Sequence, residues 1–286
     1  MHPLIITLLS YIFGFITTTD GGSLYYEVRG EGEPLLLLHG HTLDHRMWQP
    51  QVDEFAKQYR VITLDFRGYG YSSPLSEHQR ISHADDVISV MDALHIDKAH
   101  VVGLSMGGFV AGDLLGMYPD RLLSCTMCSG ALKSGHPSVK EPVAEKEIVL
   151  QDSAIAAVLD YGIERWRTEW IEKLVKGGGS KAENICMPLS AMINDWNAWH
   201  LTHREPHLYY GHEAMDSLKV RRPEVPTMYL SGETEHKKPM GMLKYLPNSC
   251  QVELPDCGHM SNMEQPALFN NAILDFLTKA KSVRPK

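Results

Sequence analysis

Short, wholly apolar runs recur along this chain, and each is followed by a stretch in which apolar residues return at helical spacing. "PLLLLHG" precedes "HRMWQPQVDEFAKQY", where Met47, Val52 and Phe55 share a face; "RVITLDFRG" precedes "ADDVISVMDALHI". "KAHVVGLS" precedes "GGFVAGDLLGMYP", and "LLSCTMCSG" follows. A run of this length without polar alternation is a strand buried on both faces. Such strands, separated by helices, join through right-handed crossovers into a mostly parallel sheet with helices on both faces. The fold class is therefore α/β. Ahead of the first run, "FITTTDGGSLYYEVRG" reads as two strands around an Asp-Gly-Gly turn, a hairpin leading into the buried sheet.

The alternation breaks after Gly130. Residues 131–222 contain helix-like pieces and no convincing strand, and every tryptophan except Trp48 lies there: Trp166, Trp170, Trp196 and Trp199. "VPTMYLSGE" and "CQVELPD" then restore the strand pattern, and "PALFNNAILDFLTKAKS" closes the chain as an amphipathic helix. The reading is an α/β core over 15–130 and 223–286, interrupted by a helical insertion over 131–222. The four tryptophans, with Tyr161 and Tyr209, are candidates for lining an apolar pocket and equally for packing the insertion onto the core. The short glycine run Gly177 to Gly179 is the one low-complexity stretch.

Residues 1–14 form an apolar extension, "MHPLIITLLSYIFG", which no Lys or Arg precedes and no convincing small-x-small site closes. It is short for a bilayer span. An added helix packed on the domain, a weak anchor and a misassigned start all fit it.

A net charge of -8 without a run of Lys or Arg leaves no electrostatic footprint for nucleic acid or anionic lipid, and suits a protein that meets small molecules. The cysteines, Cys125, Cys128, Cys186, Cys250 and Cys257, are odd in number and lack disulfide-framework spacing, which points to a reducing, cytoplasmic compartment. "CTMC" has redox or zinc spacing but sits in a buried strand rather than at a helix start. His41 and His45, and His200, His203, His207 and His212, are conceivable metal ligands. "HLTHREPHLYYGH", however, lacks a helix pattern that gathers them on one face, so no metal is assigned.

The sharpest local signal is "HVVGLSMGGFVAG", in which Gly103, Ser105 and Gly107 form G-x-S-x-G between a buried strand and a helix. A nucleophile on so tight a strand-to-helix turn needs small neighbours two residues away on either side. The turn sets Ser105 at a helix N-terminus, where free N–H groups and the dipole favour developing negative charge. A serine hydroxyl needs a base, and His259, in "ELPDCGHMSNMEQP", follows the last strand on a loop at the same sheet edge. The oxyanion of an acyl-transfer intermediate needs donors, for which position offers the backbone N–H groups of Met106 and His41. Two carboxylates, Glu233 and Glu235, follow the strand "VPTMYLSGE", and either is a conceivable partner for the imidazole.

With these pieces assembled, the chain resembles the α/β-hydrolase superfamily along nearly its whole length after the extension. His39-Gly40, "DFRGYGYSS", "GLSMGG" and Gly258-His259 fall in the family's order. The resemblance implies an eight-stranded, mostly parallel sheet and a helical cap inserted after the sixth strand. It places the acid after the penultimate strand in a G-x-x-D loop, here Gly232 to Glu235, with glutamate in place of the commoner aspartate. Some members carry the acid after the sixth strand instead, where this chain has Ser129 and Gly130. The implied triad is Ser105, His259 and Glu235, without a metal or organic cofactor.

Relatives with an aspartate nucleophile are excluded by Ser105, and "HGHTLDHRMW" looks like small carboxylesterases and enol-lactone hydrolases. The implied activity is hydrolysis of a small ester or lactone through an acyl-enzyme. Perhydrolase or haloperoxidase-like chemistry, or a slow ligand receptor on the same fold, are the alternatives. Neither substrate groups nor oligomeric state can be read from the sequence.

Overall fold

The computed structural model describes residues 11–76, 80–132, 145–204, 209–235 and 241–282. Eight strands make one sheet: β1 (Tyr11–Thr17), β2 (Ser23–Arg29), β3 (Glu33–Leu38), β4 (Tyr59–Leu64), β5 (Ala99–Leu104), β6 (Leu122–Cys128), β7 (Thr227–Gly232) and β8 (Ser249–Leu254). Their order is β1-β2-β4-β3-β5-β6-β7-β8; β1 and β2 pair antiparallel, as do β2 and β4, and every other pair is parallel. The helices are α1 (Gln49–Phe55), α2 (His83–Ala93), α3 (Met106–Met117), α4 (Glu145–Tyr161), α5 (Ile163–Lys176), α6 (Cys186–Asp195), α7 (Trp199–Thr202), α8 (His212–Arg221), α9 (Ser261–Glu264) and α10 (Pro266–Ser282).

The apolar runs are buried on both faces, as their lack of alternation requires. In β3, Leu36 and Leu38 enter one core while Leu35 and Leu37 enter the other, and all four are fully buried. Each contributes about 1.5–3 kcal/mol relative to an exposed leucine. The same two-residue period separates the cysteines of "CTMC", because Cys125 lies in the first core and Cys128 in the second. Their side chains cannot converge on one metal or one disulfide.

The strand order also decides where a ligand can enter. From β3 the chain crosses to β4 on one side, and β5 then returns to the other side of β3. Loops leaving β3 and β5 at their carboxyl ends therefore diverge and open a crevice, the place where sheets of this kind bind ligands.

Two boundaries differ from the sequence reading. The first strand starts at Tyr11, so Tyr11 to Gly14, assigned to the extension, instead pair with Arg29 to Tyr26 as the outer end of the hairpin. Aromatic and β-branched residues favour such a pleated edge over a helix. Positions 1–10 lie outside the described residues. At the other end, α8, counted in the insertion, packs on α3, with Ala214 against Gly116 and the Ser217 hydroxyl donating to the Gly116 carbonyl at 2.6 Å. Asp113 of α3 accepts the N–H groups of Tyr210 and Gly211 at 2.9 and 3.1 Å just before α8 begins. This helix covers the sheet on the way from β6 to β7, so we place the insertion proper at α4 to α7. Among the described residues no helix is long and apolar enough to cross a membrane.

Candidate active site

Ser105 stands between the last residue of β5 and the first of α3, with φ 56° and ψ −111°. A non-glycine residue held in that region costs about 1–3 kcal/mol. The reason glycines flank it is visible in the backbone: a Cβ on Gly103 would lie 2.0 Å from the Gly107 carbonyl oxygen, and one on Gly107 2.1 Å from that of Leu38. The Ser105 N–H donates to the Cys128 carbonyl at 2.8 Å, which ties the turn to the end of β6. Met106 opens α3, so its N–H is one of the helix's unpaired first donors.

The loop after β3 runs beside this turn, since a Cβ on Gly40 would sit 3.5 Å from the Ser105 Cβ. That places the His41 backbone next to the candidate nucleophile. His39 fixes the loop: its Nδ1–H donates to the Gly40 carbonyl at 2.8 Å, and its Nε2 accepts the Phe66 N–H at 3.0 Å. Burial pushes the His39 pKa down, so the ring stays neutral and can serve both partners. In the sequence His39 is only a landmark, because the need of two buried backbone groups for one ring carries no local signature.

The last two strands lead to the candidate histidine and carboxylate. Beyond β7 a single tight turn, Glu233–Glu235, carries Glu235, and the loop after β8 carries His259. The His259 Nδ1–H donates to Glu235 Oε1 at 2.7 Å, and the Ser129 hydroxyl donates to Glu235 Oε2 at 2.5 Å. This hydrogen bond occupies Nδ1 of His259 and orients the ring. Glu233 instead accepts the Asp256 N–H at 3.0 Å, and Asp256 accepts the Ser180 N–H at 2.7 Å. Of the three nearby carboxylates, Glu235 is the one hydrogen-bonded to the imidazole.

The glycine run reads differently once folded. A Cβ on Gly179 would lie 2.1 Å from the Asp256 carbonyl oxygen, so the run is the seat on which the His259 loop rests. Buried Glu264 clasps both sides, accepting the Gly179 N–H at 2.8 Å and the Gly258 N–H at 3.1 Å.

Comparison with known proteins agrees with this architecture. The family described as alpha/beta hydrolase fold matches residues 33–154. The chain is 28% identical over 266 residues to 3-oxoadipate enol-lactonase 1 of Acinetobacter baylyi, covering 89% of this chain and 92% of that protein. A thermophilic esterase from Thermogutta terrifontis superposes with a TM-score of 0.74 at 26% identity, over 94% of this chain and 99% of the esterase. The enol-lactonase of Burkholderia xenovorans shares the fold, with a TM-score of 0.73 at 21% identity over 93% of this chain and 100% of that one.

The chain has the α/β-hydrolase fold.

In this α/β-hydrolase the remaining cysteine and histidine candidates have other occupations. Burial pushes the Cys125 thiol up to about 12 and the Cys128 thiol well above the usual range, so neither is a thiolate. His200 packs against both Tyr69 and Trp196, at 4.8 and 5.7 Å between ring centres, while those two rings stack 6.2 Å apart, and burial pushes the His200 pKa down to about 2. His41 touches the same cluster, with Nδ1 2.7 Å from the Tyr69 hydroxyl, and burial lowers its pKa to about 4. His203 stacks on Trp199 at 4.8 Å and His212 begins α8, whereas His207 lies outside the described residues.

Among the described residues, Asp44, His45 and Asp65 bring metal-type ligand atoms within 4.8 Å of one another. Protein donors already serve these carboxylates. Asp65 accepts the N–H groups of His45 and Tyr71 at 2.8 and 2.9 Å, and Asp44 takes the Arg46 guanidinium at 2.7 Å. Burial disfavours a charged His45, but the hydrogen bond to Asp65 and the negative charges of Asp65, Asp44 and Glu27 together outweigh that and raise its pKa. The trio knits "HTLDHRMW" to "DFRGYGYSS".

The aromatic residues of the hydrolase's helical segment stack on one another. Trp166 lies on Trp170 with centres 5.6 Å apart, and the Trp170 indole N–H donates to the Thr42 hydroxyl at 3.1 Å. Trp196 lines a cavity of about 270 Å³ with Leu43, Arg46, Tyr71 and Met192. Trp166 and His200 line another of about 260 Å³ with Ile155, Val158 and Leu201. Tyr209 meets Phe109, while Tyr161 is exposed, with its hydroxyl donating to Glu169.

Proposed function

We propose that this chain is a serine hydrolase that cleaves a small carboxylic ester or lactone through an acyl-enzyme, with Ser105, His259 and Glu235 as its triad. The observation that carries the reading is the His259–Glu235 hydrogen bond of 2.7 Å at the sheet edge that also presents Ser105 in a strained elbow. The names of the relatives, an enol-lactonase and an esterase, support ester and lactone carbonyls as the substrate class.

In this mechanism Ser105 Oγ attacks the carbonyl carbon while His259 Nε2 takes its proton. Glu235 holds the imidazolium in place. The N–H groups of His41 and Met106 receive the oxyanion, in a setting where fixed donors need no reorganisation. Collapse of the tetrahedral intermediate expels an alkoxide, to which His259 returns the proton. In a lactone that alkoxide stays tethered to the acyl group. Water then attacks the acyl-enzyme by the same route and frees the acid and Ser105. The α4 to α7 segment closes the substrate side, with Trp166, Trp170 and Trp196 lining its cavities, whereas Trp199, Tyr209 and exposed Tyr161 line none of those cavities.

The test is pre-steady-state hydrolysis of p-nitrophenyl acetate. A burst of nitrophenolate equal to the enzyme concentration, absent in Ser105→Ala, is expected. Undiminished hydrolysis by folded Ser105→Ala contradicts the reading.

A further inference from the structure

We infer that Ser129 is a positioning residue for the acid: its hydroxyl pins the second oxygen of Glu235 and lets a glutamate do what an aspartate does in a shorter reach. The inference rests on the triad reading given above.

The sequence presents Ser129 as the place where a carboxylate is missing. The geometry gives it a task. Ser129 follows the last residue of β6 in the left-handed region, φ 54°, and its N–H donates to the Leu230 carbonyl of β7 at 2.8 Å. That bond locks the exit of β6 to the strand that leads to Glu235. The left-handed backbone turns the side chain toward the neighbouring strand end, where its Oγ lies 2.5 Å from Glu235 Oε2. Ser129 is 4% exposed and the Glu235 side chain 4%, so bulk water competes little for that oxygen.

The chemical need follows from the extra methylene. Glutamate has one more rotatable bond than aspartate, and its carboxylate samples orientations that turn Oε1 away from the imidazole. One hydrogen bond from His259 to Oε1 does not by itself fix the rotation of the carboxylate about that bond. A second donor on the opposite oxygen removes that freedom, and in a buried setting it also satisfies acceptor capacity that would otherwise be costly. The two donors, 24 and 106 residues distant in sequence from Glu235, hold it from both sides.

The experiment is a double-mutant cycle read by p-nitrophenyl acetate turnover, with Ser129→Ala, Ser129→Gly, Glu235→Ala and the two combinations. A hydrogen bond to a charged group predicts a loss in kcat of about tenfold or more for Ser129→Ala, with KM unchanged. Ser129→Gly relieves the left-handed backbone while removing the hydroxyl, so it is expected to keep the wild-type melting temperature and yet be equally slow. In the Glu235→Ala background neither Ser129 change costs anything further. Wild-type kcat in both Ser129 variants overturns the inference while Glu235→Ala remains slow. An equal Ser129 loss in both backgrounds also overturns it, since the hydroxyl then acts through something else. Full activity in Glu235→Ala removes the triad reading itself, a separate result that takes the inference with it.

Discussion

The carboxyl edge of the sheet and the helices between β6 and β7 are held together in different ways. At the edge, backbone lies against backbone: Gly103 on Gly107, Gly107 on Leu38, Gly179 on Asp256, each with no room for a Cβ. Among the helices, side chain lies against side chain: Trp166 on Trp170, His200 on Trp196, Trp199 on His203. A backbone approach closer than a methyl group admits one residue type, so it fixes the reacting groups tightly. A stack of flat rings tolerates exchange, so it suits a surface that is to be shaped to a substrate. Changes at the edge should therefore strike kcat or stability, and changes among the helices should strike KM.

The largest effect is expected at Glu235 and its histidine bond, beyond Ser105 itself. Glu235→Ala should lower kcat on p-nitrophenyl acetate by about 10⁴-fold, the scale seen when a triad acid is lost. Glu235→Asp keeps the charge but draws it back by one methylene, and a misplacement of about 1 Å predicts a loss nearer 10²-fold. Equal, near-wild-type rates in both variants would remove Glu235 from the mechanism.

Next is the seat of the histidine loop. Gly179→Ala forces a methyl into the Asp256 carbonyl, and overpacking of this kind costs about 1–3 kcal/mol in urea unfolding. The same variant should lose kcat, because the displaced loop carries His259. A stable, fully active Gly179→Ala would break the distinction drawn above. Smaller still, Trp170→Phe keeps the stack on Trp166 and drops the hydrogen bond to Thr42, so KM should rise by less than about tenfold with kcat retained. A kcat loss larger than the KM change would put Trp170 with the reacting groups instead.

The last contrast concerns stability rather than turnover and sets two buried carboxylates side by side. Glu235 is met by an imidazole and a hydroxyl, whereas Asp113, under α8, is met by two backbone N–H groups, and burial pushes its pKa up to about 8. The folded chain keeps a proton on Asp113 that the unfolded chain loses near the ordinary carboxylate value of about 3.9. Its contribution to stability is therefore full below about pH 4 and falls as pH rises toward 8. Asp113→Asn holds the neutral form throughout. Its melting temperature relative to wild type should climb from pH 5 to pH 9, and a constant difference would mean that Asp113 is ionised in the folded chain at both.

The contrast also explains what the sequence made legible. The elbow around Ser105 announces itself because its glycines are compelled, and His259 because a strand delivers it to the same edge. The residue of the acid loop that meets the imidazole came from the register Gly232 to Glu235 and the family's habit, and the geometry does bring that carboxylate to His259. Gly179 is equally compelled but reads as part of a low-complexity run, since its partner, Asp256, is more than 70 residues away. Ser129 passed as an absence because hydroxyl donors carry no spacing signature. Tyr11 to Gly14 read as part of the apolar extension because a pleated edge strand and a short apolar tail share composition. Which rings line the cavities was open for a different reason: stacking leaves no periodic mark.

In the proposed mechanism Ser105 Oγ is the atom that becomes acylated. Treating the folded protein with a fluorophosphonate and mapping the adduct by peptide mass spectrometry tests this directly. One adduct per chain is expected, on the peptide containing Ser105, and none in Ser105→Ala. An adduct on another residue, or labelling that persists in Ser105→Ala, would contradict it.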